Sequence, residues 1–153
     1  MWRYLRQLLE ALVYLHSQGI LHRDVKPSNI FVDTEGSLQL GDLGSAKVAE
    51  KENYTRVGTP LYLAPEIIKY EAYNEKVDIW SLGVTLFQLA ALKLPFHHPN
   101  FIKLAQSITY EEPQYPLHFS RRLKAVISEM LRKDPIQRPN AQDLLQKYFI
   151  TPV

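Results

Sequence analysis

A mainly helical domain carrying one small pair of strands is the fold class this sequence predicts, and three observations point to it. Apolar residues recur at helical spacing from Trp2 to Leu15. The run from Lys76 to Leu94 is apolar on nearly every side, the pattern of a helix buried in the middle of a domain. Two short apolar runs, SNIFVD and SLQLGD, are joined by the turn-forming DTEGS and read as two short strands.

Each element follows in order. Trp2, Leu5, Leu8, Leu9, Leu12 and Leu15 form the apolar stripe of a first helix, with Arg3, Arg6 and Glu10 opposite and Gly19 as its stop. The strand pair comes next. From Asp42 to Glu66 there is no period, and glycines, prolines and hydroxyls accumulate, so this stretch reads as a long loop of the kind that carries function. The buried helix then runs until PFHHPN breaks it. A short helix is expected over Phe101 to Ile108, and EEPQYP reads as a loop. Leu123, Val126, Ile127, Met130 and Leu131 give the next amphipathic face, which KDP ends. Asn140 is placed to cap a last helix carrying Leu144, Leu145 and Tyr148.

The totals narrow the function classes. A chain of 153 residues fits one domain with a core of its own. A net charge of +2 with no basic run gives no reason to expect nucleic acid or an anionic membrane as partner. The longest stretch free of charge, Ile79 to Leu92, has 14 residues, whereas a membrane span needs about 20. The N-terminus carries an apolar stripe and not the solid apolar block of a signal peptide. No cysteine is present, so disulfides and thiolate metal sites are excluded. That suits a reducing compartment, and the expected location is cytoplasmic, with the nucleus and cytoskeleton as other intracellular addresses.

Chemistry concentrates in LHRDVKPSNIFV. An aspartate followed five positions later by an asparagine, on a loop leading into a strand, can set a proton acceptor beside a metal ligand. Lys26 between them supplies a cation for a transferring anion. Asp42 follows the second strand in GDLG, so a hairpin could return its carboxylate to the side of Asn29. Two such oxygen ligands suit a hard cation such as Mg²⁺ that is held largely through substrate phosphates. Taken singly, a loop aspartate is also an ordinary turn residue.

The combination is more specific. His22-Arg23-Asp24 with Asn29, then Asp42-Leu43-Gly44, then Ala64-Pro65-Glu66 reproduces, in order and spacing, the H-R-D-x-x-x-x-N, Asp-x-Gly and Ala-Pro-Glu set of protein kinases. The chain therefore resembles the C-terminal lobe of eukaryotic protein kinases over its whole length, residues 1–153, with a catalytic loop at 22–29 and an activation segment at 42–66. GTPLYLAPE and LHFSRRLKAVISEMLRKDPIQRP look most like the never-in-mitosis-related (NEK) group of serine/threonine kinases.

The resemblance implies roles. Asp24 would accept or orient the proton of the substrate hydroxyl, and Lys26 would neutralise charge on the transferring phosphoryl group and contact ATP. Asn29 and Asp42 would hold Mg²⁺ and, through it, the nucleotide. His22 reads as a packed support of the loop. Arg23 would receive a phosphate on the activation segment, where the family pattern makes Thr55 the phosphorylation site; on its own chemistry Arg23 could equally pair with a nearby carboxylate. Thr59 matches the threonine that contacts Asp24 and Lys26 in serine/threonine kinases. Asp78 opens the buried helix, where a carboxylate is favoured by unpaired amides, and would tie down the backbone around His22 and Arg23. Glu66 and Arg138 resemble a buried ion pair anchoring the end of the activation segment.

Leu43 stands where the family usually has phenylalanine and Val25 where it has leucine, both apolar exchanges expected to alter packing only. No G-x-G-x-x-G occurs anywhere in the chain, so the resemblance implies that the small N-terminal lobe, with its glycine-rich loop and strand lysine, is missing from it. The expected function is that of a serine/threonine kinase catalytic lobe transferring the γ-phosphoryl group of ATP, with this piece alone poorly active or inactive. Its partners would be a protein substrate, ATP, and the small lobe or a regulatory protein. The alternative is a truncated lobe that binds kinase substrates or regulators without phosphoryl transfer.

Overall fold

Every residue from Val77 to Phe87 is buried, so the chain is organised around one central helix. In the computed structural model, which describes residues 1–48 and 58–150, the order is α1 (Trp2–Ser17), β1 (Ile20–Leu21), β2 (Ile30–Val32), β3 (Leu38–Leu40), β4 (Lys47–Val48), α2 (Pro65–Ile68), α3 (Lys76–Ala91), α4 (Phe101–Tyr110), α5 (Arg121–Met130) and α6 (Ala141–Phe149). Single 3₁₀ turns lie at Pro27–Asn29, Leu43–Ser45 and Pro60–Tyr62. The helices therefore follow the apolar periods of the sequence, with α4 reaching Tyr110 and not stopping at Ile108.

α3 is the helix that the rest encloses. It is apolar around its circumference because α1, α5 and the loops of the site all lean on it. α5 comes closest at Gly83, where a Cβ would lie 2.8 Å from Met130 Cβ and 3.0 Å from Leu131 Cδ2. Two buried hydroxyls of α3 reach the loops of the site. Ser81 Oγ donates to Tyr62 O at 2.9 Å, and Thr85 Oγ1 donates to Val25 O at 3.3 Å.

α1 buries Leu5, Leu8, Leu9 and Leu12 and crosses α6, where the Trp2 ring stacks on Tyr148 and meets Phe149 edge-on. The C-terminal helices start on side-chain caps. Asn100 Oδ1 accepts from Ile102 N and Lys103 N, and Ser120 Oγ from Leu123 N. Asn140 and Asp143 form a reciprocal capping box at the start of α6, which confirms the asparagine cap read from the sequence.

β2 and β3 form the expected hairpin, in the antiparallel register Ile30↔Leu40, Phe31↔Gln39, Val32↔Leu38. Asp33 closes its turn, its Oδ1 accepting from Glu35 N at 2.9 Å and Ser37 N at 2.8 Å. Gln7 Oε1 of α1 accepts from Leu38 N at 2.7 Å, fastening the hairpin to the first helix. A second sheet, absent from the sequence reading, pairs β1 with β4 (Ile20↔Val48, Leu21↔Lys47). The described residues of 42–66 thus contain a two-residue strand, two single turns and the start of the short α2, each too brief to leave a periodic signal. No helix among the described residues is long and apolar enough to cross a membrane.

Substituting Gly83→Val forces a branched side chain into the α3–α5 contact. Overpacking of this kind costs about 1–3 kcal/mol, and urea denaturation should show that loss with an unchanged m-value.

Candidate active site

The loop from His22 to Asn29 is shaped by a carboxylate behind it. Asp78, fully buried on the first turn of α3, accepts from His22 N at 2.9 Å through Oδ2 and from Arg23 N at 2.7 Å through Oδ1. Arg23 is held at φ +67°, a left-handed conformation that non-glycine residues rarely adopt. A third donor, His16 Nε2 on α1, reaches Asp78 Oδ2 at 2.9 Å. Nothing in the sequence singled out His16, because it falls on the apolar stripe of an ordinary amphipathic helix.

Beyond Arg23 the chain presents Asp24, then turns through Pro27–Asn29 with proline at the start of the turn. Both oxygens of Asp24 are occupied. Oδ2 faces Lys26 Nζ at 2.7 Å and accepts from Asn29 Nδ2 at 3.0 Å. Oδ1 accepts from the Thr59 hydroxyl at 2.8 Å and from Thr59 N at 3.1 Å. The same hydroxyl accepts from Lys26 Nζ at 2.7 Å, closing a triangle of Asp24, Lys26 and Thr59. Burial pushes the Asp24 carboxyl up. Hydrogen bonds from Lys26 and Thr59, the Lys26 charge and the Asn29 amide outweigh it and hold the group below the usual carboxylate range. At neutral pH it is an ionised acceptor.

Thr59 reaches this position because the residue before it is glycine. Gly58 sits at φ +117°, and a Cβ there would lie 2.6 Å from Arg23 O. Asp42 is placed by a similar device. Gly41 N donates to Asn29 O at 2.9 Å, and Gly41 O lies 2.9 Å from His22 Nε2. Asp24 N donates to His22 Nδ1 at 3.3 Å, so Nε2 carries the ring proton and donates to Gly41. His22 therefore clamps the 22–29 loop to the strand that delivers Asp42, consistent with its reading as a packed support. The ring of Phe31 covers Gly41, where a Cβ would meet it at 2.6 Å.

Asp42 itself is exposed, at φ +58°, with Oδ1 accepting from Gly44 N at 3.2 Å. Asp24 and Asn29 are thus in direct contact, and Asp42 joins them through the backbone of its neighbour. The Asn29 amide nitrogen is committed to Asp24, donating to its backbone O at 2.8 Å as well as to its carboxylate. Its carbonyl oxygen lies outside these bonds, so Asn29 and Asp42 supply one amide oxygen and one carboxylate. Those hard donors fit a magnesium ion that completes its shell with phosphate oxygens and water. No group of three or more His, Asp or Glu side chains able to hold a metal occurs among the described residues.

The Arg23 guanidinium donates from Nε to Ser45 O at 2.6 Å and from Nη1 to Tyr73 Oη at 3.2 Å. Thr55, its expected phosphate-bearing counterpart, lies outside the described residues. Glu66 and Arg138 form the bidentate pair that the sequence suggested, Nη1–Oε1 at 2.7 Å and Nη2–Oε2 at 3.0 Å, both side chains buried. Arg138 also donates to the carbonyls of Arg132 and Lys76 at 3.0 and 2.9 Å. This pair fixes the far end of the 42–66 segment to the C-terminal helices.

Comparison with known proteins agrees with this geometry. The protein kinase domain family model matches residues 1–150. The chain belongs to the protein kinase family. This kinase domain is 41% identical to a probable serine/threonine-protein kinase nek2 of Dictyostelium discoideum, covering 98% of the chain and 37% of that protein. It is 39% identical to the serine/threonine-protein kinase Nek1 of Mus musculus, over 94% of the chain and 12% of the relative. Identity to CBL-interacting protein kinase 11 of Oryza sativa subsp. japonica is 41%, over 89% of the chain and 28% of the relative. NEK kinases thus stand among the similar proteins, as GTPLYLAPE suggested, beside CBL-interacting protein kinases of comparable identity. The chain spans just over a third of the length of the first of these relatives and less of the other two.

Two outcomes test the site's electrostatics and anchoring. Lys26→Met removes both a hydrogen bond and a charge from Asp24, so its pKa should rise, as read by ¹³C carboxylate NMR. A depressed native pKa stabilises the fold above the unfolded value, and that stability is lost as pH falls through the native one, so the share of the acid-side stability loss that Asp24 contributes should be smaller in this variant. Arg138→Met leaves Glu66 buried without its partner and should cost about 3–5 kcal/mol in chemical denaturation.

Proposed function

We propose that this chain is the larger, helical lobe of a protein serine/threonine kinase, transferring the γ-phosphoryl group of ATP to a serine or threonine hydroxyl of a protein. The observation that carries the reading is the Asp24–Lys26–Thr59 triangle: an ionised carboxylate with an ammonium 2.7 Å away and a threonine hydroxyl bridging the two. The lysine and threonine at these positions favour Ser/Thr over Tyr acceptors.

In this reaction the acceptor oxygen attacks phosphorus, the bond from phosphorus to the ADP oxygen breaks, and the hydroxyl proton passes to Asp24. Lys26 balances the charge on the transferring group, and its bond to Asp24 keeps both on one side of the acceptor. Asn29 and Asp42 would hold Mg²⁺, whose charge screens the phosphates and stabilises the leaving oxygen. Asp78 and His22 hold the loop backbone so that these groups need not reorganise during transfer.

A second lobe carrying the glycine-rich loop and strand lysine, neither identified in this sequence, closes over the nucleotide. An apolar groove of about 390 Å³ beside the hairpin, lined by residues including Leu5, Leu8, Ile30, Val32 and Leu86, supports this reading, as does the half-exposed ring of Phe31. The activation segment runs from Asp42 to Glu66, and Thr55 is its phosphorylation site, read by Arg23. A reducing, cytoplasmic setting belongs to the same proposal, in keeping with a chain that has no cysteine.

Asp24→Asn in the full-length kinase should lower kcat by about 10²–10⁴-fold, the span expected of a general base, and Asp42→Ala should abolish transfer. Phosphate incorporation into Ser/Thr peptides measures both, and near-wild-type rates in either variant would reject the assigned roles. Residues 1–153 alone should bind Mg²⁺-ATP more weakly than micromolar by calorimetry, because one wall of the nucleotide site is open.

A further inference from the structure

We propose that Lys133 is an acylation site, its side-chain amine taking the acyl group of a thioester. The amine sits where α3, α4 and the loop after α5 meet. Its Nζ lies 4.2 Å from the centroid of the Phe96 ring and 5.1 Å from that of Trp80, and these two rings stack 5.9 Å apart. Both rings are buried. The amine donates to Ile108 O at 2.7 Å, a carbonyl in the last turn of α4 with no partner inside that helix. Among the described residues no carboxylate pairs with it, and Glu111 and Glu112 act on it only from a distance.

A second cation sets this amine apart. The Arg138 guanidinium lies 5.2 Å from the centroid of the same indole, and it already takes both oxygens of Glu66. A guanidinium keeps its proton in a protein, whereas an ammonium can give one up. Burial favours the neutral amine, the carboxylates of Glu112 and Glu111 oppose it, and Arg138 reinforces it; the balance brings Lys133 down to about 8. At pH 8 about half of the molecules therefore carry a nucleophilic lone pair here. Other lysines are placed differently. Lys26, Lys69 and Lys147 face carboxylates, Lys76 donates to two carbonyls, and Lys93, Lys103 and Lys124 are exposed to water. Lys133 is half-buried, which leaves a small reagent a way in. In the reaction the neutral nitrogen attacks the thioester carbonyl, the carbon–sulfur bond breaks, and the proton lost from nitrogen ends on the departing thiolate. A neutral amide replaces the ammonium, so the end of α4 loses its cation.

Incubating the chain with the small thioester N,S-diacetylcysteamine, across the neutral and alkaline range, tests this when acetylation at each lysine is followed by peptide mass spectrometry. At neutral pH Lys133 should be acetylated about tenfold or more faster than Lys93 and Lys103, because a solvated lysine amine is almost wholly protonated there. Its rate should level off above about pH 8, where the exposed lysines keep gaining. Glu112 is exposed, and Glu112→Gln removes the stronger of the two opposing carboxylates. That variant should move the plateau to lower pH and raise the neutral-pH rate about twofold or more. In urea Lys133 should lose its lead. A Lys133 rate no greater than those of Lys93 and Lys103 in the folded chain would overturn the proposal, as would a rate that climbs without a plateau or a profile unmoved by Glu112→Gln. A lead that survives in urea would overturn it too, because the neighbouring sequence and not the aromatic box would then account for it.

Discussion

The carboxylate of Asp78 is the constraint on which the rest of the site depends. A carboxylate with no exposed surface is costly unless its lone pairs are used, and here the donors come from α1 and from the successive backbone amides of His22 and Arg23. The carboxylate stands on the first turn of α3, where unpaired amides also favour negative charge. Burying α3 on all sides makes it rigid, and that rigidity passes through Asp78 to a loop with almost no regular structure. Ser81 and Thr85, further along the same helix, hold the carbonyls of Tyr62 and Val25 in the same manner. One helix thereby holds both the 22–29 loop and the turn after Thr59.

A second level of wiring joins the parts that carry the chemistry. His22 is bonded at one ring nitrogen to Asp24 and at the other to Gly41, and Gly41 returns a bond to Asn29. Asp24, Asn29 and the strand leading to Asp42 are therefore one hydrogen-bonded unit. The 42–66 segment is pinned at both ends, by the β1–β4 pairing near its start and by the Glu66–Arg138 pair at its finish. Replacing one partner of such a pair is far more damaging than replacing both with apolar groups, so its value lies in where it holds the segment.

Much of this was legible in the sequence, for identifiable reasons. Leu5, Leu9 and Leu12 announce α1 because helical periodicity is a local property, and Asn140 announces α6 because a capping box is complete within four residues. The unbroken apolar run of α3 states its own burial. Asp24, Asn29, Asp42 and Glu66 were found because the order and spacing of their motifs resemble those of protein kinases, and Asp78 and Arg138 through that same resemblance. β1 and β4 escaped because two-residue strands have no period and their pairing joins positions far apart in the chain. His16 escaped for a different reason: its importance lies entirely in a contact 62 residues away, and its own neighbourhood reads as routine helix. Gly58 and Gly41 were visible as glycines, but the need for them arises from Arg23 O and the Phe31 ring, which only the fold brings near.

The crowding of donors around Asp24 bears on the timing of the proposed reaction. A carboxylate that already receives Lys26, Asn29 and both groups of Thr59 is a feeble base toward an alcohol, whose proton is far less acidic still. It can take that proton only after the oxygen has begun to share electrons with phosphorus and has thereby turned acidic. Cleavage toward ADP would lead and deprotonation would trail, with Asp24 steering the incoming oxygen for most of the journey and accepting its hydrogen at the end.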